Sequence, residues 1–497
     1  MDNVAKFVWE HAAGQGGEVA LRGSGRELTY AALCDAAAVT AGSVASAGVS
    51  PGDRVLLLAP SIPEFGALYY GLLAAGVVVV TANTMSTQPE LEYVLTDAGC
   101  RLVIAWHDCA EAARSAAKAL ELPFWSVEPG LASMPAGEPL ATPVERTLAD
   151  AAVLLYTSGT TGRPKGAQIT HGNLRACAEA FRDVLRLGAD DRFATGLPLF
   201  HIFGQAVVMG TVVSAGASLS LLSPFEPAAA IALIREERIT LFAGVPTMYN
   251  ALLHAGGDAG PQDFTSLRLC ASGGASLPAE VIRAFGERFG AVLLEGYGLT
   301  ETTGAATFNG LDRERKAGFV GIALPGAEVK VADPDGVEVP RGQHGEVLVK
   351  GPVVMPGYWG RPDATAEALR DGWLHTGDIG RMDEAGDLEI VDRIKDLVIR
   401  GGYNIYPREV EEVLYQHPDV VEAAVVGVPD LHYGEELGAM IVLRPGTALA
   451  PADLRAWAKE RLSAYKVPRL FAFVEALPKG STGKILKRAI DRDLLKR

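Results

Sequence analysis

Residues 156–166 read YTSGTTGRPKG. Glycines let backbone N–H groups approach an anion closely, small hydroxyls donate further hydrogen bonds, and a lysine adds a point charge. Thr157, Ser158, Gly159, Thr160, Thr161, Gly162 and Lys165 therefore make a candidate grip for the phosphates of a nucleoside triphosphate. In a Walker loop Gly-Lys is followed directly by Ser or Thr, whereas here the order is Pro-Lys-Gly, which argues against a P-loop NTPase. The apolar run AAVLLY just before the grip reads as a buried strand feeding it, a setting that does not suit a flexible linker.

Four shorter stretches carry chemistry only in combination. EGYGLTET (295–302) offers Tyr297 as a flat ring between Gly296 and Gly298, with Glu295, Thr300 and Glu301 beside it. HTGDIG (375–380) places Asp378 in a turn, DRIKD (392–396) carries Arg393 and Lys395, and PKGSTGKI (478–485) carries Lys484 between glycine-rich flanks. Each has a bland reading taken alone: an aromatic in a turn, a local Asp cap, a surface charge. PLFHIFG sets His201 among aromatic residues, where a histidine is ordinarily a satisfied core residue, and nothing in the sequence pairs it with a base.

The elements that must position these residues alternate. A strand over 54–58, a helix over 63–75 and a strand over 77–80 form a βαβ unit. The pattern returns as a helix over 231–238, strands over 240–243 and 268–272, a helix over 278–289 and a strand over 292–294. After Gly345 short strands and turns such as GEVLVKG and GDLEIVD predict a β-rich subdomain ending near Asp392. A helix restarts at Pro407, where the missing N–H costs nothing. The fold class expected is α/β: a large N-terminal domain (1–391) of α/β subdomains with mainly parallel sheets plus the β-rich subdomain, a hinge (392–396), and a small mobile α+β C-terminal domain (397–497).

With 497 residues, 48% hydrophobic and 21% charged, the chain has material for more than one core. A net charge of −15 excludes nucleic acid as a partner class, since such binding needs clustered Lys and Arg. The basic exception, GKILKRAIDRDLLKR at the C-terminus, reads as a solvated charged helix. Five cysteines with no CxxC pair indicate neither a zinc site nor a disulfide framework. The N-terminus lacks the pattern of a signal peptide, and the apolar stretch 67–82 is broken by Gly71 and Gly76. A cytoplasmic enzyme without an integral membrane segment is expected, and homodimerisation is left open.

The five motifs, in this order and over nearly the whole chain, resemble those of the acyl-adenylate-forming superfamily: acyl-CoA synthetases, peptide-synthetase adenylation domains and beetle luciferases. The look is nearest to bacterial fatty acyl-CoA synthetases, with 4-coumarate:CoA ligases close behind. The resemblance implies ATP, Mg2+ and coenzyme A, and a two-step reaction through acyl-AMP with pyrophosphate release. It implies Lys484, His201, Thr160 and Glu301 as catalytic residues, with Thr160 and Glu301 holding the metal. The nucleotide would be met by the phosphate grip, Gly273, Gly274, Ala275, Glu295, Gly296, Tyr297, Gly298, Thr300, Asp378 on the ribose, Arg393 and Lys484. Lys395 would be the pivot of the C-terminal domain. His201, Gly401, Gly402 and Tyr403 would line the coenzyme A tunnel, His201 as a gate and not as a base.

The acid is read from what is missing. No Asp stands between Leu197 and Leu222 to hold a substrate ammonium, and no Arg or Lys stands between Gly204 and Pro224 to hold a second carboxylate. The candidate acyl pocket, His201, Val207, Val208, Met209, Gly244, Val245, Gly273, Gly274, Ala275, Gly298 and Gly304, is small and apolar. An apolar monocarboxylic acid is expected, a medium or long fatty acid before an aryl acid of the coumarate type. A fatty acyl-AMP ligase loading a carrier protein is the further alternative, without the insertion usual in that group. A catalytically dead scaffold would have lost Lys484, Asp378 or Glu301, and an oxidoreductase would show GxGxxG after the first strand; neither pattern is present.

Overall fold

Two large, mainly parallel sheets carry the molecule. The computed structural model describes residues 2–157, 163–255, 257, 259–480 and 483–495. The first sheet has seven strands in the order Gly357–Tyr358, Lys165–Thr170, Ala151–Thr157, Val78–Thr81, Arg54–Leu58, Cys100–Trp106 and Phe124–Val127. The last five run parallel and are nearly continuous apolar runs, as strands covered on both faces must be. The helix Pro63–Ala74 between two of them is buried at every position, which explains its lack of a polar stripe. Its Gly71 is required by packing: a Cβ there would lie 2.5 Å from Thr40 Cβ on the helix Tyr30–Ser46.

The second sheet has nine strands. Its parallel centre runs Leu293–Tyr297, Leu269–Ser272, Leu241–Gly244, Arg192–Thr195, Ser218–Leu221 and Val19–Gly23, with antiparallel strands at both edges. Aromatic residues fill the space under the flanking helices, Phe264 stacking on Phe289 at 4.3 Å. The helix expected over 231–238 is instead Pro227–Glu236, because Pro227 occupies the first turn and Arg238 has left-handed φ.

The β-rich subdomain is a five-stranded antiparallel sheet that begins at Glu328, earlier than the composition change at Gly345 implied. Its strand Glu328–Ala332 pairs with His344–Lys350, which supplies the missing partner for that strand's backbone groups. The last strand, Leu388–Arg393, leads through a single turn, Ile394–Asp396, into a small C-terminal domain. There five strands carry the helices Pro407–Tyr415 and Pro451–Lys459.

The basic C-terminus is not the solvated helix its charge suggested. It forms two short turns, Lys487–Ala489 and Arg492–Leu495, with Ile490 and Leu495 buried in an apolar cluster and Lys487 paired to Glu411 at 2.7 Å. Among the described residues no helix is long and apolar enough to cross a membrane.

Candidate active site

Ligands of parallel α/β sheets bind beyond the carboxyl ends of the strands, and both large sheets present those ends to one cleft of about 1560 Å3. Thr157 ends Ala151–Thr157; Val245 follows Leu241–Gly244; Gly273 and Gly274 follow Leu269–Ser272; Gly298, Thr300 and Glu301 follow Leu293–Tyr297. The loop after Arg192–Thr195 carries His201 and is tied to the other sheet. Ser61 Oγ donates to Leu197 O at 3.2 Å and accepts from Leu199 N at 2.8 Å, while Thr81 Oγ1 donates to Phe200 O at 2.9 Å. The two sheets therefore position one loop.

On the polar side, Tyr297 Oη donates to Asp378 Oδ2 at 2.7 Å and Arg393 Nε lies 3.1 Å from Asp378 Oδ1. Strand pairing sets Arg393 opposite Asp378, so this contact follows from register. Glu346 fastens the same turn: Oε1 accepts from Gly377 N at 3.0 Å and Oε2 lies 2.8 Å from His375 Nδ1. Glu301 Oε1 accepts from Tyr358 Oη at 2.8 Å and from Thr157 Oγ1 at 3.5 Å, and Lys165 Nζ sits 5.3 Å over the Tyr358 ring.

The C-terminal domain closes the cleft with the loop around Lys484. Thr247 Oγ1 donates to Gly483 O at 3.3 Å, and a Cβ on Gly483 would lie 3.2 Å from Val245 Cγ2. Val245 in turn packs toward Gly274, whose φ of +80° needs glycine. Burial, and then the charge of Arg393, push the Lys484 ammonium down to about 8. Burial and then Lys484 push His201 down to about 4, so its ring is neutral at pH 7, with Nδ1 accepting from Phe203 N at 3.3 Å. Arg393, Lys395 and Lys484 crowd one wall around Asp378 and Asp396. A cluster of like charges of this kind is relieved by an anion.

The apolar arm is lined by Ile202, Phe203, Val207, Val208, Val245, Gly304 and by Phe181, Leu185, Phe193 and Phe308. Phe203–Gly210 is a π-helix, so Phe203, Val207 and Val208 share one face toward the cleft. Gly304, at φ +90°, lies so close to Val207 that a Cβ would approach Cγ2 to 2.8 Å.

Most residues singled out in the sequence meet here: Thr157, Lys165, His201, Val207, Val208, Val245, Gly273, Gly274, Gly296, Tyr297, Gly298, Thr300, Glu301, Gly304, Asp378, Arg393, Lys395 and Lys484. Ser158, Gly159, Thr160, Thr161 and Gly162 lie outside the described residues. Glu295, Ala275, Gly244 and Met209 do not line the cleft. Glu295 is turned away and buried, Oε1 accepting from Leu277 N at 3.0 Å, and burial raises its carboxyl to about 7. Gly244 faces Met248 and Phe242, and Met209 belongs to the core behind the π-helix.

Gly401, Gly402 and Tyr403 also lie away from the cleft, with Tyr403 60% exposed and stacked on Tyr465. The paired glycines have a local cause: both have positive φ in the two-residue turn joining Val398–Arg400 to Tyr403–Ile405.

Glu346, Tyr358, His375, Phe181 and Phe308 were not found by sequence reasoning. The one available signal is the spacing of Cys177, Phe181 and Leu185, which puts them on one face of the helix His171–Leu185.

Comparison with known proteins agrees with this geometry. The AMP-binding enzyme family model matches residues 8–359, and the AMP-binding enzyme C-terminal domain model matches 409–484. A feruloyl-CoA synthase of Amycolatopsis sp is 40% identical over 95% of both chains. A long-chain-fatty-acid–CoA ligase of Bacillus subtilis (strain 168) is 37% identical over 94% of this chain and 90% of that one. The crystal structure of ATP-bound MatB from Rhodopseudomonas palustris superposes with a TM-score of 0.92 at 34% identity, covering 98% and 97% of the two chains. A cleft that joins a cationic wall to an apolar arm, with full-length likeness of this order, places the chain in the AMP-binding enzyme family, as an AMP-forming acyl-CoA ligase.

Proposed function

We propose that this ligase activates an uncharged, apolar monocarboxylic acid, with a medium or long fatty acid favoured, and transfers it to coenzyme A. The observation that carries the reading is the apolar arm: among the described residues, Phe181, Leu185, Phe193, Ile202, Phe203, Val207, Val208 and Phe308 line it without an ionisable side chain, so a second charge on the acid would lose its hydration without a partner. In the first step the substrate carboxylate oxygen attacks the α-phosphorus of ATP, forming the acyl-phosphate bond as the bond to pyrophosphate breaks. Lys484 spans the attacking carboxylate and the α-phosphate, and a cation held there stabilises the charge that develops in transfer. Arg393 and Asp378 hold the ribose and phosphate region, Tyr297 covers the adenine, and Thr157 and Lys165 grip the outer phosphates.

Glu301 offers the hard carboxylate oxygen that Mg2+ takes, and Thr160 is its proposed companion. Bound there, the ion would neutralise triphosphate charge.

In the second step the thiol of coenzyme A attacks the acyl carbonyl and AMP leaves. We assign Lys395, in the middle of the turn Ile394–Asp396, as the pivot that brings Gly401, Gly402 and Tyr403 to the cleft, with 1–391 and 397–497 moving as separate bodies. His201 stands at the junction of the arm and the cationic wall and positions the acyl carbonyl, neutral and without a base's role.

A second reading has its own support. Phe181, Phe193, Phe203 and Phe308 suit a flat aryl acid, and the feruloyl-CoA synthase relative is named for one. Pyrophosphate release across straight-chain acids, cinnamates, benzoates and dicarboxylates decides between them. Octanoate above cinnamate supports the first reading, the reverse supports the second, and preference for a dicarboxylate overturns both.

A further inference from the structure

We propose that Phe181 sets the length of acid that the cleft accepts, by closing the far end of its apolar arm against Phe308. The proposal rests on the reading of that arm as the acyl site.

Phe181 and Phe308 line the cleft although only 4% and 3% of their surfaces are accessible, so the space they face is reached from inside. Their rings meet edge to face with centroids 5.6 Å apart. Behind them the backbone is held at several points. Along one stripe of the helix His171–Leu185, Asn173 Nδ2 donates to Pro352 O at 2.7 Å and to Val354 O at 3.0 Å, and Cys177 Sγ lies 3.5 Å from Thr303 O. Phe181 and Leu185 continue that stripe at four-residue spacing. On the opposing segment Thr303 Oγ1 donates to Val353 O at 2.6 Å and Thr307 Oγ1 to Val320 O at 2.8 Å. Phe308 is further pinned by Gly296, where a Cβ would approach its ring to 2.7 Å.

The two rings therefore stand on a backbone tethered at several points. Phe308 is locked by its neighbours, whereas Phe181 reaches the wall from a helix whose hydrogen bonds do not involve its side chain. Trimming Phe181 lengthens the arm without breaking a polar contact, and enlarging it shortens the arm. Each methylene newly buried raises kcat/KM about fourfold.

The experiment measures kcat/KM for thioester formation over straight-chain acids from butanoate to octadecanoate in the wild-type enzyme, Phe181→Ala and Phe181→Trp, with Phe181→Leu made if the alanine variant does not fold. The expected result is an optimum displaced to longer acids in Phe181→Ala or Phe181→Leu and to shorter ones in Phe181→Trp. The long-to-short ratio should change at least tenfold between the two directions. Simple destabilisation lowers all acids together and cannot produce opposite displacements. An optimum that stays in place in active variants of both kinds overturns the role of Phe181 alone. A wild-type enzyme that activates none of these acids, nor any uncharged aryl acid, overturns the acyl-site reading itself.

Discussion

Tyr297 and Asp378, 81 residues apart, are joined by a hydrogen bond of 2.7 Å from the phenol to the carboxylate, whose other oxygen faces Arg393 at 3.1 Å. The ring proposed to cover adenine and the carboxylate proposed to hold the ribose are thus one unit before nucleotide arrives. Tyr297→Phe keeps the ring and releases the carboxylate. A hydrogen bond to a charged group contributes about 1.5 kcal/mol or more, so KM for ATP should rise roughly tenfold with a smaller change in kcat. An unchanged KM would show that Asp378 is held by Arg393 alone.

Lys484 should serve adenylation and little else. Replacing it with Ala removes a charged transition-state contact and should lower acyl-AMP formation by roughly a hundredfold or more. Thioester formation from supplied acyl-AMP should persist. Equal loss in both half-reactions, measured by pyrophosphate release and by thioester assay, would refute the assignment.

The same lysine predicts a pH profile. In the free enzyme its ammonium is pushed down to about 8 by burial and Arg393. The protonated form is the one that can stabilise the phosphoryl transfer, so kcat/KM for adenylation should fall as pH rises through about 8. The profile of kcat/KM reports the free enzyme. Lys484→Arg, whose guanidinium stays charged, should remove that alkaline limb whatever its absolute rate.

Lys395→Pro should separate the half-reactions in the opposite sense. Proline fixes φ in the turn Ile394–Asp396, where a pivot must change its torsions. Acyl-AMP should still form while transfer to coenzyme A slows by roughly tenfold or more. Identical thioester rates in mutant and wild type would remove Lys395 from the hinge.

Glu295 predicts a stability effect with a definite sign. Burial raises its carboxyl from 4.5 to about 7, so the folded state binds more protons than the unfolded state between those values. Stability is therefore lost as pH rises through this window, by about 3 kcal/mol at most. Glu295→Gln keeps an acceptor for Leu277 N without the charge. Its melting temperature should exceed wild type at pH 8 and converge with it at pH 4. A lower melting temperature at pH 8 would show that the Arg408 charge nearby outweighs the burial.

Much of the molecule is written locally. The alternation of apolar runs and helices determines the parallel sheets, because strands such as Arg54–Leu58 and Val78–Thr81 must be buried on both faces whatever surrounds them. The residue types around Lys165 announce phosphate chemistry locally, because glycines, hydroxyls and a cation at short spacing suit an anion, whereas Tyr297, Asp378 and Lys484 take their reading only from the order of the motifs and the resemblance it carries.

What lay between distant segments was decided only by the fold. No periodicity links Glu346 to Gly377, or Phe181 to Phe308; those contacts exist because a strand register and a helix packing angle bring them together. The same holds for Glu295, adjacent in sequence to residues that line the cleft yet buried away from it, with its carboxylate accepting from Leu277 N, a residue of a different segment. Composition also misjudged the C-terminus, where Ile490 and Leu495 find an apolar cluster on strands from elsewhere in the chain, and their burial outweighs the charge between them. Short-range spacing determines which chemistry the chain can offer, and long-range packing determines which of those side chains reach one another.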